Sequence, residues 1–256
     1  MSTVTVLLLL VGGGVAGFID SIAGGAALVT IPVLSIVLGA GVQAVATSKV
    51  VGVAAALMAL GVFYLHGHMD WKRGFAFGLW VGIGSLAGST LAPYLPVAYF
   101  RWMLILLCPF LLAVIWQKDR WAKVAQREHQ PSLTPLQVVL DPKCIFAGIA
   151  CGFYDGFFGP AGGTFMFLAL VFVVRMKLLP SMAVAKLVNS VAGITALINY
   201  SLKHLVHWEE GFVMTVAVLV GAFVGARCAS KGATKIVRPV LACVVALLLC
   251  HLLLSP

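Results

Sequence analysis

The stretch Gly17-Phe18-Ile19-Asp20-Ser21-Ile22-Ala23-Gly24-Gly25 places an aspartate next to a glycine pair inside a long apolar segment. The second half of the chain repeats this arrangement as Gly152-Phe153-Tyr154-Asp155-Gly156-Phe157-Phe158-Gly159-Pro160-Ala161-Gly162-Gly163. Glycine weakens a helix by about 1 kcal/mol relative to alanine, and a charge at the centre of a membrane-spanning helix costs roughly 2.5–3.5 kcal/mol. Because both costs occur twice, we predict a helix break and a functional acidic group in each half.

The composition indicates a protein that crosses a membrane several times. The chain is 62% hydrophobic and 10% charged, whereas a soluble domain is about 25% charged. Its basic residues stand in short segments between apolar runs, so the net charge of +9 indicates membrane topology and not a nucleic-acid partner. Segments that approach the ~20 residues of a full span are 44–65, 74–92, 98–116, 183–201, 212–229 and 237–254.

Two further apolar segments, 4–40 and 144–175, are interrupted by the glycine clusters. Each is divided into two pieces of about 11–16 residues, which is short for a full span. The pieces fit either short tilted helices or a re-entrant hairpin, and the sequence is compatible with both.

The two halves of the chain are copies of one another. An offset of 135 residues pairs Asp20 with Asp155, and an offset of 137 then pairs Lys49 with Lys186. The second offset also pairs Trp71 with Trp208, Gly74 with Gly211, Gly84 with Gly221, Gly88 with Gly225 and Arg101 with Arg238. We therefore predict an internal duplication, with repeats at 1–116 and 144–256 joined by a linker at 117–143.

The distribution of basic residues predicts how the repeats are oriented. If the linker is cytoplasmic, 13 of the 17 basic residues lie in cytoplasmic loops at 66–73, 117–143, 175–182 and 227–238, as the positive-inside rule requires. Each half then has one glycine-broken helix pair and three spans, so its net number of crossings is odd. The predicted fold is therefore an all-α integral membrane protein of two inverted repeats, which is a transporter architecture.

Two acidic residues, Asp20 and Asp155, lie inside the apolar segments, and two lysines, Lys49 and Lys186, lie within or at the start of spans. An ionisable group in the membrane interior needs a partner or a water-filled cavity, and it marks a functional site by default. One interpretation is structural: each lysine neutralises an aspartate, or the aspartate caps the helix after its glycine turn. The alternative is a site for a small anion, in which the lysines supply positive charge and Asp20 or Asp155 carries a coupling proton.

The anion site would use backbone N–H groups at the starts of the half-helices, where the helix dipole favours negative charge. The glycines that would present these groups are Gly24, Gly25, Gly159, Gly162 and Gly163. Hydroxyl donors would come from Thr30 and Thr164, and Ser48 and Asn189 would line the cavity beside the lysines.

Other classes of function have weaker support in the sequence. No Walker motif and no G-x-S-x-G occurs, so we predict no catalytic residue and no cofactor. His66, His68, His204 and His207 fall in short loops, and we interpret them as solvated histidines and not as a metal site. A passive anion channel and an accessory membrane subunit are alternatives to a transporter, and a homodimer is one option for the assembly.

The two motifs, Pro32 after the first of them, and the lysines at 49 and 186 together resemble the TauE/SafE family of sulfite exporters. The resemblance covers essentially the whole chain, including Gly225-Ala226-Arg227. It implies a permease of the bacterial inner membrane that exports sulfite, sulfoacetate or another small organosulfur anion. The anion site would have two halves, one at each motif. The first motif continues as Ala26-Ala27 where many members have glycine, so we expect these half-sites to be unequal, with the first one tighter.

Overall fold

The computed structural model describes residues 1–23, 25–39, 41–65, 69–97 and 131–229, with isolated positions between 99 and 117. Regular structure in these ranges is helical, which confirms the all-α prediction for this part of the chain. The helices are α1 (Thr3–Ala23), α2 (Ala27–Leu38), α3 (Val42–Leu65), α4 (Trp71–Leu91), a 3-10 turn (Ala92–Tyr94), α5 (Pro135–Leu140), α6 (Pro142–Phe157), α7 (Gly162–Phe172), α8 (Leu178–Leu202) and α9 (Trp208–Ala229).

Four helical stretches in the described ranges are long and apolar enough to cross a membrane: Thr3–Asp20, Val42–Leu65, Trp71–Tyr94 and Leu178–Leu202. Three of them contain the spans predicted at 44–65, 74–92 and 183–201. The span predicted at 212–229 lies within α9. The span at 237–254 falls outside the described residues, as does all of 98–116 except isolated positions.

The length predicted for the first glycine-broken piece is wrong. Helix α1 has 21 residues, because the whole stretch from Thr3 to Ala23 before the glycine cluster is one helix. The pieces α2, α6 and α7 have 12, 16 and 11 residues and fall in the predicted range. The end of the predicted linker is also helical, since it contains α5 and the first residues of α6.

Both predicted helix breaks occur at the glycine clusters. Gly25 separates α1 from α2 with a φ of +108°, and Gly159 separates α6 from α7 with a φ of +102°. Such angles are open to glycine at little cost. The second break also contains Ala161, whose φ is +59°. Each break leaves the start of a short helix close to the aspartate that precedes it.

The most extensive helix packing joins the two repeats reciprocally. Helix α1 packs against α9, and α4 packs against α6. A Cβ atom on Gly17 would lie 2.0 Å from the carbonyl oxygen of Val218, and one on Gly152 would lie 2.0 Å from that of Val81. These contacts are equivalent under the offsets of 135 and 137, so the same backbone approach occurs at both crossings. Glycine is what allows it.

Helices α3 and α8, the equivalent helices that carry Lys49 and Lys186, also pack against each other. Helix α3 also packs against α2 and α9, and α8 packs against α7 and α4. These contacts of one repeat thus have counterparts in the other, as a twofold relation between the repeats would produce. The inverted orientation of the repeats in a membrane and the domain limits stay predictions.

The Gly152 crossing gives a test of this packing. We expect Gly152→Ala to lower the free energy of unfolding by about 1–3 kcal/mol or more, because the added methyl group overlaps the Val81 carbonyl. Thermal unfolding of the purified protein in detergent measures the effect. Gly61→Ala is the control, since a Cβ there meets no atom within 4 Å. Equal stability of the two variants would contradict the close backbone contact.

Candidate functional site

Lys49 of α3 and Asp155 of α6 form a buried ion pair. The Lys49 Nζ lies 2.8 Å from Asp155 Oδ2, and the same ammonium group donates to the backbone carbonyl of Asp155. The two residues are only 6% and 5% exposed. An ion pair taken out of water persists only when its geometry is good and further hydrogen bonds support it. This pair meets both conditions.

Lys186 of α8 and Asp20 of α1 form the equivalent pair with a looser geometry. The Lys186 Nζ lies 3.8 Å from Asp20 Oδ2, and their side chains are 29% and 17% exposed. The other carboxylate oxygen of Asp20 accepts hydrogen bonds from the N–H groups of Gly25 at 2.9 Å and Ala26 at 3.1 Å. Asp20 therefore caps the start of α2, which confirms the capping interpretation for the first motif.

Each lysine pairs with the aspartate of the other repeat. Lys49 belongs to the first repeat and reaches the second motif, whereas Lys186 belongs to the second repeat and reaches the first motif. The structure thus joins the four embedded charges as two neutral pairs that connect the repeats. It confirms that the lysines neutralise the aspartates, and it adds the choice of partners, which the sequence left open.

The glycines of the second motif allow the ion pair to approach α7. A Cβ on Gly159 would lie 3.1 Å from Lys49 Nζ, and one on Gly162 would lie 2.2 Å from Asp155 Oδ1. Their N–H groups have partners in this conformation: Gly159 donates to the Tyr154 carbonyl and Gly162 to the Gly159 carbonyl. Gly24 lies outside the described residues. An anion at either helix start would therefore have to displace existing contacts.

The polar side chains predicted to line the site differ in their surroundings. Thr30 and Thr164 are 2% and 6% exposed, and neither hydroxyl has a hydrogen bond within the described ranges. Asn189 Oδ1 lies 3.5 Å from where a Gly163 Cβ would be, which brings Asn189 to the start of α7. Ser48 differs, because its hydroxyl donates to the Val45 carbonyl of its own helix at 2.7 Å.

Sequence analysis missed Tyr200 as a residue that supports the site. Its hydroxyl donates to the Gly156 carbonyl at 2.6 Å, and the whole residue is 0% exposed. This bond links α8 to the end of α6 directly after Asp155. The offset of 137 pairs Tyr200 with Phe63. The hydroxyl group that only the second repeat has at this position is the feature of the sequence that indicates the role of Tyr200.

Two of the four loop histidines lie within the described residues. His204 and His207 fall between α8 and α9, and the His207 N–H donates to the Thr47 hydroxyl at 3.0 Å. His66 and His68 are outside the described residues. Across the part of the chain that the structure describes, no group of three His, Cys, Asp or Glu residues could hold a metal ion.

The half-sites are unequal, but the expectation that the first would be tighter is wrong. The second has the shorter ion pair, 2.8 Å against 3.8 Å. Its helix break contains Pro160 and Ala161, and Gly162 there lies directly against the Asp155 carboxylate. In the first half-site the carboxylate instead divides its two oxygens between the start of α2 and Lys186.

Long apolar helices with paired charges among them define an integral membrane protein of the transporter class. The family described as "Sulfite exporter TauE/SafE" matches residues 9–252. The chain therefore belongs to the TauE/SafE family and is a membrane transporter of that family. The family and its relatives are named as transporters, which are not enzymes.

Several curated relatives are similar over most of their length. The chain is 33% identical over 244 residues to "Probable membrane transporter protein YfcA" of Escherichia coli K12, covering 93% of this chain and 86% of that protein. It is 32% identical over 228 residues to a "Probable membrane transporter protein" of Haemophilus influenzae Rd, covering 89% and 86%. It is 31% identical over 252 residues to "Probable membrane transporter protein ORF9" of a Sinorhizobium species, covering 97% and 92%. No solved structure matches the chain at a significant level.

The buried pair predicts a specific pattern of stability. We expect Lys49→Met to lower the free energy of unfolding by about 3–5 kcal/mol, because it leaves the Asp155 carboxylate buried without its cation. Adding Asp155→Asn removes that charge and should recover much of the loss. Lys186→Met, in the looser and more exposed pair, should cost less.

Thermal unfolding in detergent distinguishes the three variants. A Lys49→Met protein as stable as the wild type, or a double variant no more stable than Lys49→Met, would contradict the pairing.

Proposed function

We propose that the protein is a secondary transporter that exports a small anion, either sulfite or an organosulfonate such as sulfoacetate, across the bacterial inner membrane. The observation that supports this most is the exchange of the two lysine–aspartate pairs between the repeats. It places two cations and two titratable carboxylates where the repeats meet and next to the starts of two short helices. Substrate sites of repeat-built transporters lie at such positions.

Charge balance suggests how anion and proton would be coupled. Each lysine is already neutralised by an aspartate, and an uncompensated charge in an apolar interior costs several kcal/mol. An anion that binds a lysine would therefore be accommodated best when the partner aspartate takes up a proton. For a singly charged anion, such as hydrogen sulfite or a simple sulfonate, the site is then neutral both empty and loaded, so anion and proton move together. The combined gradients of the anion and the proton would then drive transport.

The same pairs offer a basis for alternating access. Both ion pairs cross from one repeat to the other, so a movement of one repeat against the other would lengthen or break them. The helix crossings through Gly17 and Gly152 join the repeats by direct backbone contact, so the movement would pivot about these crossings. On the other side of the membrane, the lysine would pair with its aspartate again, and the anion would be released.

Transport in proteoliposomes tests the role of the lysines. We expect Lys186→Gln to reduce sulfite and sulfoacetate exchange by about tenfold or more, because a charge-assisted hydrogen bond contributes about 1.5–3 kcal/mol. Lys203→Gln is the matched control, since Lys203 is half-buried and donates only to the Thr90 carbonyl at 3.1 Å among the described residues. Wild-type exchange by a folded Lys186→Gln protein would exclude Lys186 from the anion site.

Proton movement tests the coupling. In lightly buffered proteoliposomes, influx of a singly charged sulfonate through the wild-type protein should raise the external pH, with about one proton per anion, as the charge balance requires. A pH electrode and radiolabelled anion measure the two fluxes together. Lys186→Gln proteoliposomes should show neither flux. Anion influx without any proton movement would rule out Asp20 and Asp155 as coupling groups.

A further inference from the structure

The surroundings of Asp20 are those of a bound oxyanion. One of its oxygens accepts from two successive N–H groups, those of Gly25 at 2.9 Å and Ala26 at 3.1 Å. The other oxygen lies 3.8 Å from the Lys186 ammonium group. Two adjacent backbone donors at a helix start and one cation from another helix are the contacts that a small oxyanion with two free oxygens requires.

We propose that the Asp20 carboxylate is an internal competitor for the substrate, and that a sulfite or sulfonate group binds at the start of α2 by displacing it. The anion would take the same N–H groups and the same lysine. This inference rests on the proposed function and deepens it, because it assigns anion entry to one of the two half-sites.

The geometry favours Asp20 over Asp155 as the group that is displaced. Asp155 is held by Lys49 at 2.8 Å, and its side chain is 6% exposed. Asp20 is held at 3.8 Å, and its side chain is 17% exposed. Because the incoming anion takes over the two N–H groups, the contact that has to be given up is the ion pair with lysine, and the longer and more exposed pair costs less to break.

The first half-site also has room that the second lacks. The offset of 137 pairs Gly52 of α3 with Asn189 of α8. Asn189 lies against Gly163 at the start of α7, whereas a Cβ on Gly52 would meet no atom within 4 Å. The position filled by an amide side chain in one repeat is therefore open in the other.

A buried polar group next to this helix start supports the assignment. Thr30 lies one turn into α2 and is 2% exposed, yet its hydroxyl has no hydrogen bond to any described residue. Buried polar side chains are normally paired. A hydroxyl group without a partner at this position is expected if a ligand binds beside it in another state of the transporter.

A purely structural role for Asp20 leads to a different expectation. If Asp20 serves only to cap α2, then Asp20→Asn keeps an oxygen acceptor for the two N–H groups and leaves anion binding unchanged. If Asp20 competes with the substrate, the same change removes the competing charge and frees Lys186.

Anion binding to the full-length protein in detergent decides between these roles. We expect Asp20→Asn to lower the Kd for sulfite and sulfoacetate about tenfold in calorimetric titrations, as expected for the loss of one charge-assisted contact of the competitor. Asp141→Asn is the matched control. Its carboxylate also caps a helix start, through the Lys143 N–H at 2.8 Å, and its Kd should equal that of the wild type.

The outcomes separate this inference from the proposed function. An unchanged or higher Kd for Asp20→Asn would overturn the inference, while anion exchange by the wild type would leave the proposed function standing. Absence of both exchange and binding, in the wild type and in Asp20→Asn, would overturn both. Binding that appears only in Asp20→Asn would support the inference.

Carbodiimide labelling of the wild-type protein gives a second measurement that needs no folded variant. Saturating sulfoacetate should increase the modification of Asp20, detected by mass spectrometry, because the displaced carboxylate loses its partners. Modification that is unchanged or reduced by the anion would overturn the inference. Modification of Asp141 should not depend on the anion.

Discussion

The structure depends on pairing four charges that an apolar environment does not tolerate singly. Lys49 and Asp155, and likewise Lys186 and Asp20, come from different repeats. Each repeat therefore needs the other repeat to neutralise its embedded charges. Because a lone buried charge costs several kcal/mol, the exchanged pairs make association of the two repeats a condition for burying either motif.

The exchanged pairs in turn require the repeats to approach closely, and glycine has two separate roles in this. Gly17 and Gly152 lie within helices, where the absence of a side chain lets two backbones meet. Gly25 and Gly159 lie between helices, where a positive φ turns the chain next to an aspartate. The first role positions the repeats against each other, and the second presents short helix starts to the charges. A membrane interior favours both roles, since close backbone packing substitutes for a hydrophobic driving force between helices.

Sequence patterns predicted the features that are local or repeated. The helix breaks, the helical class and the equivalence of the two motifs follow from residue type and spacing. The choice of ion-pair partners did not follow, because a duplication offers Lys49 two equivalent aspartates, and only the packing of α3 against α8 decides between them. The length of α1 was underestimated, since the whole stretch before the glycine cluster forms one helix of 21 residues.

The inequality of the half-sites bears on how a duplicated transporter could work. If the two repeats were identical in sequence, a state with one tight and one loose ion pair would have a mirror state of equal energy. Alternation between these two states would then need no further bias. Here Pro160 and Ala161 lengthen one break, and Asn189 stands where the other repeat has Gly52. Such differences favour the state in which Lys49 and Asp155 form the tight pair, and a bias of a few kcal/mol is enough to make it the resting state. For the proposed transporter, the loose pair at Asp20 is then the one that the anion meets first.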